Sequence, residues 1–179
     1  MKGIARIALL PLAAAALVAD AAPSVPPEFP HHRAADWINT DPLTLAALKG
    51  KVVLVDFWAF ECVNCLNSLA WLQSLEHDKG DAGLVVVSVH TPELPQEKSP
   101  TAVRNAVQRL DIRNPVMIDG DYSYWNALHV QYWPTFCLIG RDGLLYSCVH
   151  GEVHVGDERA QRIGQAIDLL LKAPAAPAK

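Results

Sequence analysis

The chain has 179 residues, 51% of them hydrophobic and 19% charged, with a formal net charge of −4. Once terminal segments are set apart, this is the size of one domain with a real buried core. With 15 Lys and Arg against 19 Asp and Glu and no basic patch, nucleic acid is excluded as a partner.

Lys2 and Arg6 precede an apolar stretch from Ile7 to Ala19, and Ala19-Asp20-Ala21 is a small-x-small cleavage pattern. Residues 1–21 therefore read as a secretory signal cleaved ahead of Ala22, which makes the protein periplasmic. Retention of the stretch as a membrane anchor facing the periplasm is the alternative. No cysteine follows it, which argues against lipidation. Pro23 to Pro30 and Ala173 to Lys179 are rich in proline and alanine without periodicity. A flexible N-terminal segment is expected over 22–35, one domain over 36–172, and a disordered tail over 173–179.

Asp36-Trp37-Ile38-Asn39 reads as an edge strand and Pro42 to Leu48 as a turn or short helix. Val52 to Trp58 is apolar and β-branched but for Asp56, the pattern of a strand covered on both faces. Leu66, Leu69, Leu72 and Leu75 then recur every three residues, a helix that stops at Lys79-Gly80. Leu84 to Val89 is a second buried strand. Ser99 caps a helix reaching Leu110, with Pro100 at its first position and Val103, Val107 and Leu110 turned inward. Pro115 to Ile118 is a short strand, and Asp121 to Val130 a short helix carrying Tyr122, Trp125 and Leu128. Phe136 to Ile139 and Leu144 to Val149 form a hairpin around Gly140-Arg141-Asp142-Gly143, and Arg159 to Leu171 is a closing amphipathic helix. Parallel strands ended by a hairpin predict an α/β fold with a central mixed sheet flanked by helices.

Cys62-Val63-Asn64-Cys65 lies between the first buried strand and the first long helix. Two thiols at i and i+3 on a helix N-terminus share one face at a separation that suits a reversible disulfide. The partial positive charge of the helix end favours thiolate at Cys62, which makes it the attacking sulfur. Zinc would need a second ligand pair at matching spacing, and Cys137 and Cys148 do not supply one. Copper is the more serious rival, because soft thiolates prefer Cu(I) and His90 or His150 would be a third ligand. A Cu(I) metallochaperone is therefore the alternative function, although an exposed or hydrogen-bonded histidine is the plainer reading of either. Asp56, inside an apolar strand, is costly to bury ionised. Burial would raise its pKa until it became a useful general base for the Cys65 thiol; a structural, hydrogen-bonded carboxylate is the other reading.

Together these residues resemble a known family. Val55-Asp56-Phe57-Trp58-Ala59, the CxxC behind it and Pro134-Thr135 before the hairpin resemble the thioredoxin fold. Val89-His90-Thr91-Pro92-Glu93, Pro115-Val116-Met117-Ile118-Asp119, Tyr132-Trp133-Pro134-Thr135 and His150-Gly151-Glu152 are similar to TlpA/ResA-type redoxins, most of all to the thioredoxin-like domain of DipZ-type proteins. The resemblance covers Trp37 to Leu171. It implies a thioredoxin-like fold with an N-terminal extension and a TlpA-type central insertion. It also implies an exported thiol–disulfide oxidoreductase that acts on protein thiols and disulfides, with a DsbD- or CcdA-like membrane electron donor. Cytochrome c maturation is one destination; general reduction, isomerisation or oxidant defence is another. No cofactor beyond the Cys62–Cys65 disulfide is expected, and the chain is expected to be a monomer.

The resemblance further assigns Asp56 to moving the proton of Cys65. It makes Trp133-Pro134 a cis peptide bond beside the disulfide, where Trp133, Pro134, Trp58, Phe60 and Trp125 would form an apolar substrate platform, although core packing also accounts for each aromatic. Three features depart from it: Glu61 stands where many thioredoxins have Trp, Val63-Asn64 replaces Gly-Pro, and Ala70 replaces a helix proline, so a straighter helix is expected. Glu61 opposes a thiolate at Cys62 unless it simply points into water, and no His or Lys lies inside the motif; Glu61, Val63 and Asn64 thus tilt the pair towards reductase or isomerase duty. Cys137 and Cys148 lie on the two hairpin strands. A four-residue loop sets them opposite each other and a three-residue loop turns them to opposite faces, so a structural disulfide and two buried thiols both stay open.

Overall fold

The computed structural model describes residues 22–175, so the expected signal at 1–21 and the end of the expected tail at 176–179 lie outside the described residues. Six strands form one sheet in the order β1-β4-β3-β2-β5-β6. Their ranges are β1 (Trp37–Ile38), β2 (Val52–Trp58), β3 (Leu84–His90), β4 (Val116–Ile118), β5 (Thr135–Ile139) and β6 (Leu145–His150). β2, β3 and β4 run parallel, whereas β1 pairs antiparallel with β4, β5 with β2, and β6 with β5. The mixed sheet expected from parallel strands closed by a hairpin is thus present. β2 sits at its centre with all seven residues buried, which is why it reads as a continuous apolar run rather than an alternation.

Alternation along β2 divides the core. Val53, Val55 and Phe57 pack with Phe29, Trp37, Tyr124 and Trp125, under the short helix α3 (Ser123–Ala127). Val52 and Leu54 face the other way, against Trp71, Leu72 and Leu75 of α1 (Val63–Lys79) and Ile163 and Ile167 of α4 (Glu158–Lys172). α2 (Pro100–Arg109) covers a third cluster, in which Val103 and Val107 pack near Trp58, Cys62 and Cys65. Ser99 caps α2 through Ala102 and Pro100 opens it, as the sequence predicts. α1 is one unbroken helix of 17 residues, consistent with Ala70 in place of a proline.

The structure differs from expectation at four places. α3 is shorter than Asp121–Val130, because Asp119 caps it by accepting the Tyr124 and Trp125 N–H groups and His129 turns to positive φ beyond it. Two 3₁₀ turns, Ala34–Asp36 and Pro95–Lys98, were not foreseen. The segment 22–35 is extended but anchored rather than flexible: Ser24 pairs with Leu145 and Phe29 is fully buried. The hairpin turns through Arg141, Asp142 and Gly143, with Gly140 N–H donating to the Leu144 carbonyl, which is the register that sends Cys137 and Cys148 to opposite faces. A β-bulge then shifts the pairing between Leu138 and Ile139, and past it Cys137 lies opposite Cys148. The two are bonded, with Cα atoms 4.0 Å apart.

Candidate active site

β2 ends at Trp58, and the chain makes a tight turn through Phe60 and Glu61 before α1 begins at Val63. Cys62 is the N-cap residue of α1, and its Sγ accepts the Cys65 N–H at 3.2 Å. Cys62 and Cys65 are bonded across Cα atoms 5.3 Å apart and are only 6% and 5% exposed. A sulfur in this position meets the unpaired N–H groups and positive end of a 17-residue helix whose first turn carries no acidic residue. This is a setting that stabilises a thiolate when the bond opens. Val63 and Asn64, between the cysteines, are exposed, as is Glu61.

Asp56 lies beneath the pair. Alternation puts it on the α1 side of β2, where it is 3% exposed. Its Oδ2 accepts from the Ser88 hydroxyl at 3.2 Å, and that hydroxyl accepts in turn from the Asn114 amide at 2.9 Å. Oδ1 has no partner among the described residues. Burial pushes the carboxyl up to about 7, partly offset by the Ser88 hydrogen bond. A cavity of about 10 Å³ lies between Asp56, Trp58 and Cys65. That is roughly the volume one water needs.

His90, at the end of β3, is fully buried with its ring stacked on Phe60 at 5.3 Å and edge-on to Trp58 at 5.2 Å. Burial pushes it down to about 4, so it is neutral near pH 7. His150, on the edge strand β6, is exposed and tilted against Tyr132 at 5.2 Å. Neither joins the cysteines in a ligand set. Among the described residues, the His, Cys, Asp and Glu side chains that gather closely enough to share an ion are His31, Asp119 and Asp121. The buried Asp119 there is engaged by Thr91, Ser123 and the start of α3.

The Trp133-Pro134 bond is cis, as the resemblance implies. Trp133 is half-buried, stacked on Trp125 at 4.1 Å, and its indole N–H donates to the Thr91 carbonyl at 3.0 Å. Pro134 accepts the Gly151 N–H at 2.8 Å, and the Ser68 hydroxyl on α1 accepts the Val153 N–H at 3.0 Å, so the loop after β6 ties this wall to the helix. Trp58 and Trp125 do not form an exposed platform. They are 4% and 8% exposed because each is enclosed in a core cluster. The apolar surface near the cysteines comes from half-buried Phe60 and Trp133, with Val63 at 67% and Tyr132 at 58% exposure. Tyr132 went unnoticed in the sequence, where only its place in the Tyr132-Trp133-Pro134-Thr135 run marked it.

The Redoxin family profile matches residues 21–163. The chain belongs to the Redoxin family. This redoxin is 43% identical over 132 residues to Protein SUPPRESSOR OF QUENCHING 1, chloroplastic, of Arabidopsis thaliana, covering 73% of this chain and 12% of that protein. It is 38% identical over 123 residues to Protein DipZ of Mycobacterium tuberculosis, covering 65% of this chain and 17% of DipZ. The chain thus spans well under a fifth of either relative. Among solved structures it shares its fold with one described as a candidate thiol:disulfide interchange protein DsbE from Chlorobium tepidum, at TM-score 0.70 and 21% identity, covering 83% of this chain and 96% of that one. Within the matched residues the chain carries a bonded CxxC pair at a helix N-terminus. No described helix is long and apolar enough to cross a membrane.

Proposed function

We propose that this redoxin is an exported reductase or isomerase of protein disulfides. The observation that carries the reading is the Cys62–Cys65 pair capping α1 directly above the buried Asp56. In the reduced protein, the Cys62 thiolate attacks a substrate disulfide, forming a mixed disulfide and releasing one substrate thiolate. Asp56 takes the Cys65 proton, and the Cys65 thiolate attacks Cys62 Sγ. The substrate leaves with both sulfurs reduced and the Cys62–Cys65 bond closes, so two electrons pass to the substrate. Trp133, Pro134 and Phe60 are the surface against which the substrate strand would lie.

The two electrons are returned by thiol exchange from a membrane donor of DsbD or CcdA type. Apocytochrome c is one candidate substrate, and its cysteines must stay reduced for haem attachment. Export is supported by Lys2, Arg6 and the apolar stretch to Ala19, and by a second bonded cysteine pair, which suits an oxidising compartment. Reductase rather than oxidant duty is supported by Glu61 beside the nucleophile and by a motif without His or Lys.

The test is trapping with Cys65→Ala in the exporting cell, followed by non-reducing electrophoresis and identification of the adducts. Stable mixed disulfides through Cys62 are expected, lost in Cys62→Ala. Absence of adducts, together with tight Cu(I) binding by the reduced wild-type protein, would overturn the reading in favour of metal carriage.

A further inference from the structure

Glu97 lies in the 3₁₀ turn Pro95–Lys98 between β3 and α2, well away in sequence from the cysteines, yet only 1% of it is exposed. A buried carboxylate needs compensation, and this one receives three backbone hydrogen bonds. Its Oε2 accepts the Glu93 and Leu94 N–H groups, each at 2.7 Å, which closes its own turn. Its Oε1 reaches across to accept the Glu61 N–H at 2.8 Å. Glu61 immediately precedes the nucleophile. The Cys62 N–H is held by the Ala59 carbonyl at 3.3 Å, so the Glu97 bond, beside the Phe60–His90 stack, is a tie that fixes this loop to a different element. The same β3–α2 segment anchors the other wall of the site, because the Thr91 carbonyl accepts the Trp133 indole N–H.

We propose that Glu97 is the positioning residue of the redox loop, locking the peptide ahead of Cys62 to the β3–α2 segment and holding a buried negative charge on the backbone one residue before the nucleophile, which favours the disulfide form of the pair. The inference rests on the reading of Cys62–Cys65 as the redox centre. Two acceptor oxygens facing three N–H donors suit a carboxylate and no neutral isostere, since an amide would set its own N–H against one of them. Charge in this position matters more than at Glu61, Glu93 or Lys98, which are exposed and screened by water; of the buried titratable groups near the dithiol, His90 is neutral, and Asp56, raised to about 7, is the same in wild type and Glu97 variants. Disfavouring the Cys62 thiolate stabilises the disulfide relative to the dithiol and makes the protein a better reductant.

Glu97→Gln and Glu97→Asp test this, read by the Cys62 thiolate absorbance against pH and by the redox equilibrium with glutathione. Glu97→Gln should lower the Cys62 thiol pKa by about one unit and, at a pH above the wild-type thiol pKa, move the equilibrium towards the dithiol by about tenfold. Glu97→Asp, which keeps the charge, should stay near wild type in both. A folded Glu97→Gln protein with unchanged thiol pKa and equilibrium overturns the proposal. Should Glu97→Gln not fold, amide exchange in the wild type decides, since the Glu61 N–H must be protected although its side chain is exposed; rapid exchange there overturns the tie. A wild-type protein that exchanges no disulfide at Cys62 while the Glu61 N–H stays protected overturns the proposed function instead.

Discussion

Asp56 and His90 are both buried beside the dithiol, and their titrations act on stability in opposite directions. For Asp56 the folded carboxyl titrates at about 7, against 3.8 ordinarily. Between those values the folded chain holds a proton that the unfolded chain has lost, so stability falls as pH rises through the window and is level above it. His90 titrates at about 4 when folded, against 6.5 ordinarily. There the unfolded chain holds the extra proton, so stability rises with pH up to the unfolded value. The two slopes offset each other across the acid range. Urea unfolding of the oxidised wild type should therefore vary little from pH 4.5 to 6. Asp56→Asn should gain stability with pH over that range and His90→Phe, which fits the aromatic stack, should lose it, each by on the order of 1 kcal/mol per pH unit. Three parallel curves would show that neither group titrates as its burial requires. Asp56→Asn should also slow the resolving attack of Cys65 by about 10²-fold while leaving the attack of Cys62 unaffected, which stopped-flow decay of the mixed disulfide separates.

The β5–β6 hairpin shows how far strand reading can go. Apolar runs and the Gly-Arg-Asp-Gly turn located both strands, and Gly143 supplies the positive φ the turn needs. The bulge was not legible, because it arises from a tertiary fit. The Tyr146 ring lies over Gly140, where an added Cβ would approach within 2.6 Å, and its hydroxyl donates to Asp142 at 2.8 Å. That packing takes up the extra residue and brings Cys148 opposite Cys137. The same distinction holds at the active site. Cys62, Cys65 and Asp56 were legible because a thiol pair at a helix start and a carboxylate inside a buried strand each break a local pattern. Glu97 was not, since it sits in an aperiodic turn and its partner Glu61 is distant in sequence. If the second disulfide is structural, Cys137→Ala with Cys148→Ala should lower stability by about 2–4 kcal/mol in urea unfolding. Cys62-dependent exchange should persist, because Cys137 faces the sheet side away from α1, in the cluster with Val55 and Phe57.

The segment before β1 changes what counts as the domain. It starts at the outer edge of β6, where Ser24 and Leu145 exchange backbone hydrogen bonds at 3.0 and 2.7 Å, and it ends in β1 at the opposite edge of the sheet. One end thus blunts an exposed strand edge, a feature that otherwise invites pairing with another chain. Between them, Phe29 fills the space over the central strands, edge-on to Trp37 at 5.6 Å and against Tyr124 at 5.2 Å. The Trp37 indole N–H donates to the His31 carbonyl at 2.8 Å, and His31 contacts Asp119 at 3.2 Å. Proline-rich composition suggested a flexible segment and gave no sign of this attachment, because a single aromatic among prolines has no periodicity to mark it as core. Layer geometry explains the outcome. α1, α2 and α4 serve one side of the sheet, leaving the other with α3 alone, too short to cover Val53, Val55, Phe57 and Val87, so the N-terminal segment acts as the missing cover. Phe29→Ala should then behave as a core truncation, lowering unfolding stability by about 3–5 kcal/mol and weakening the near-ultraviolet circular dichroism of the aromatic cluster. A change below about 0.5 kcal/mol, as at an ordinary surface position, would return the segment to the status of a tail.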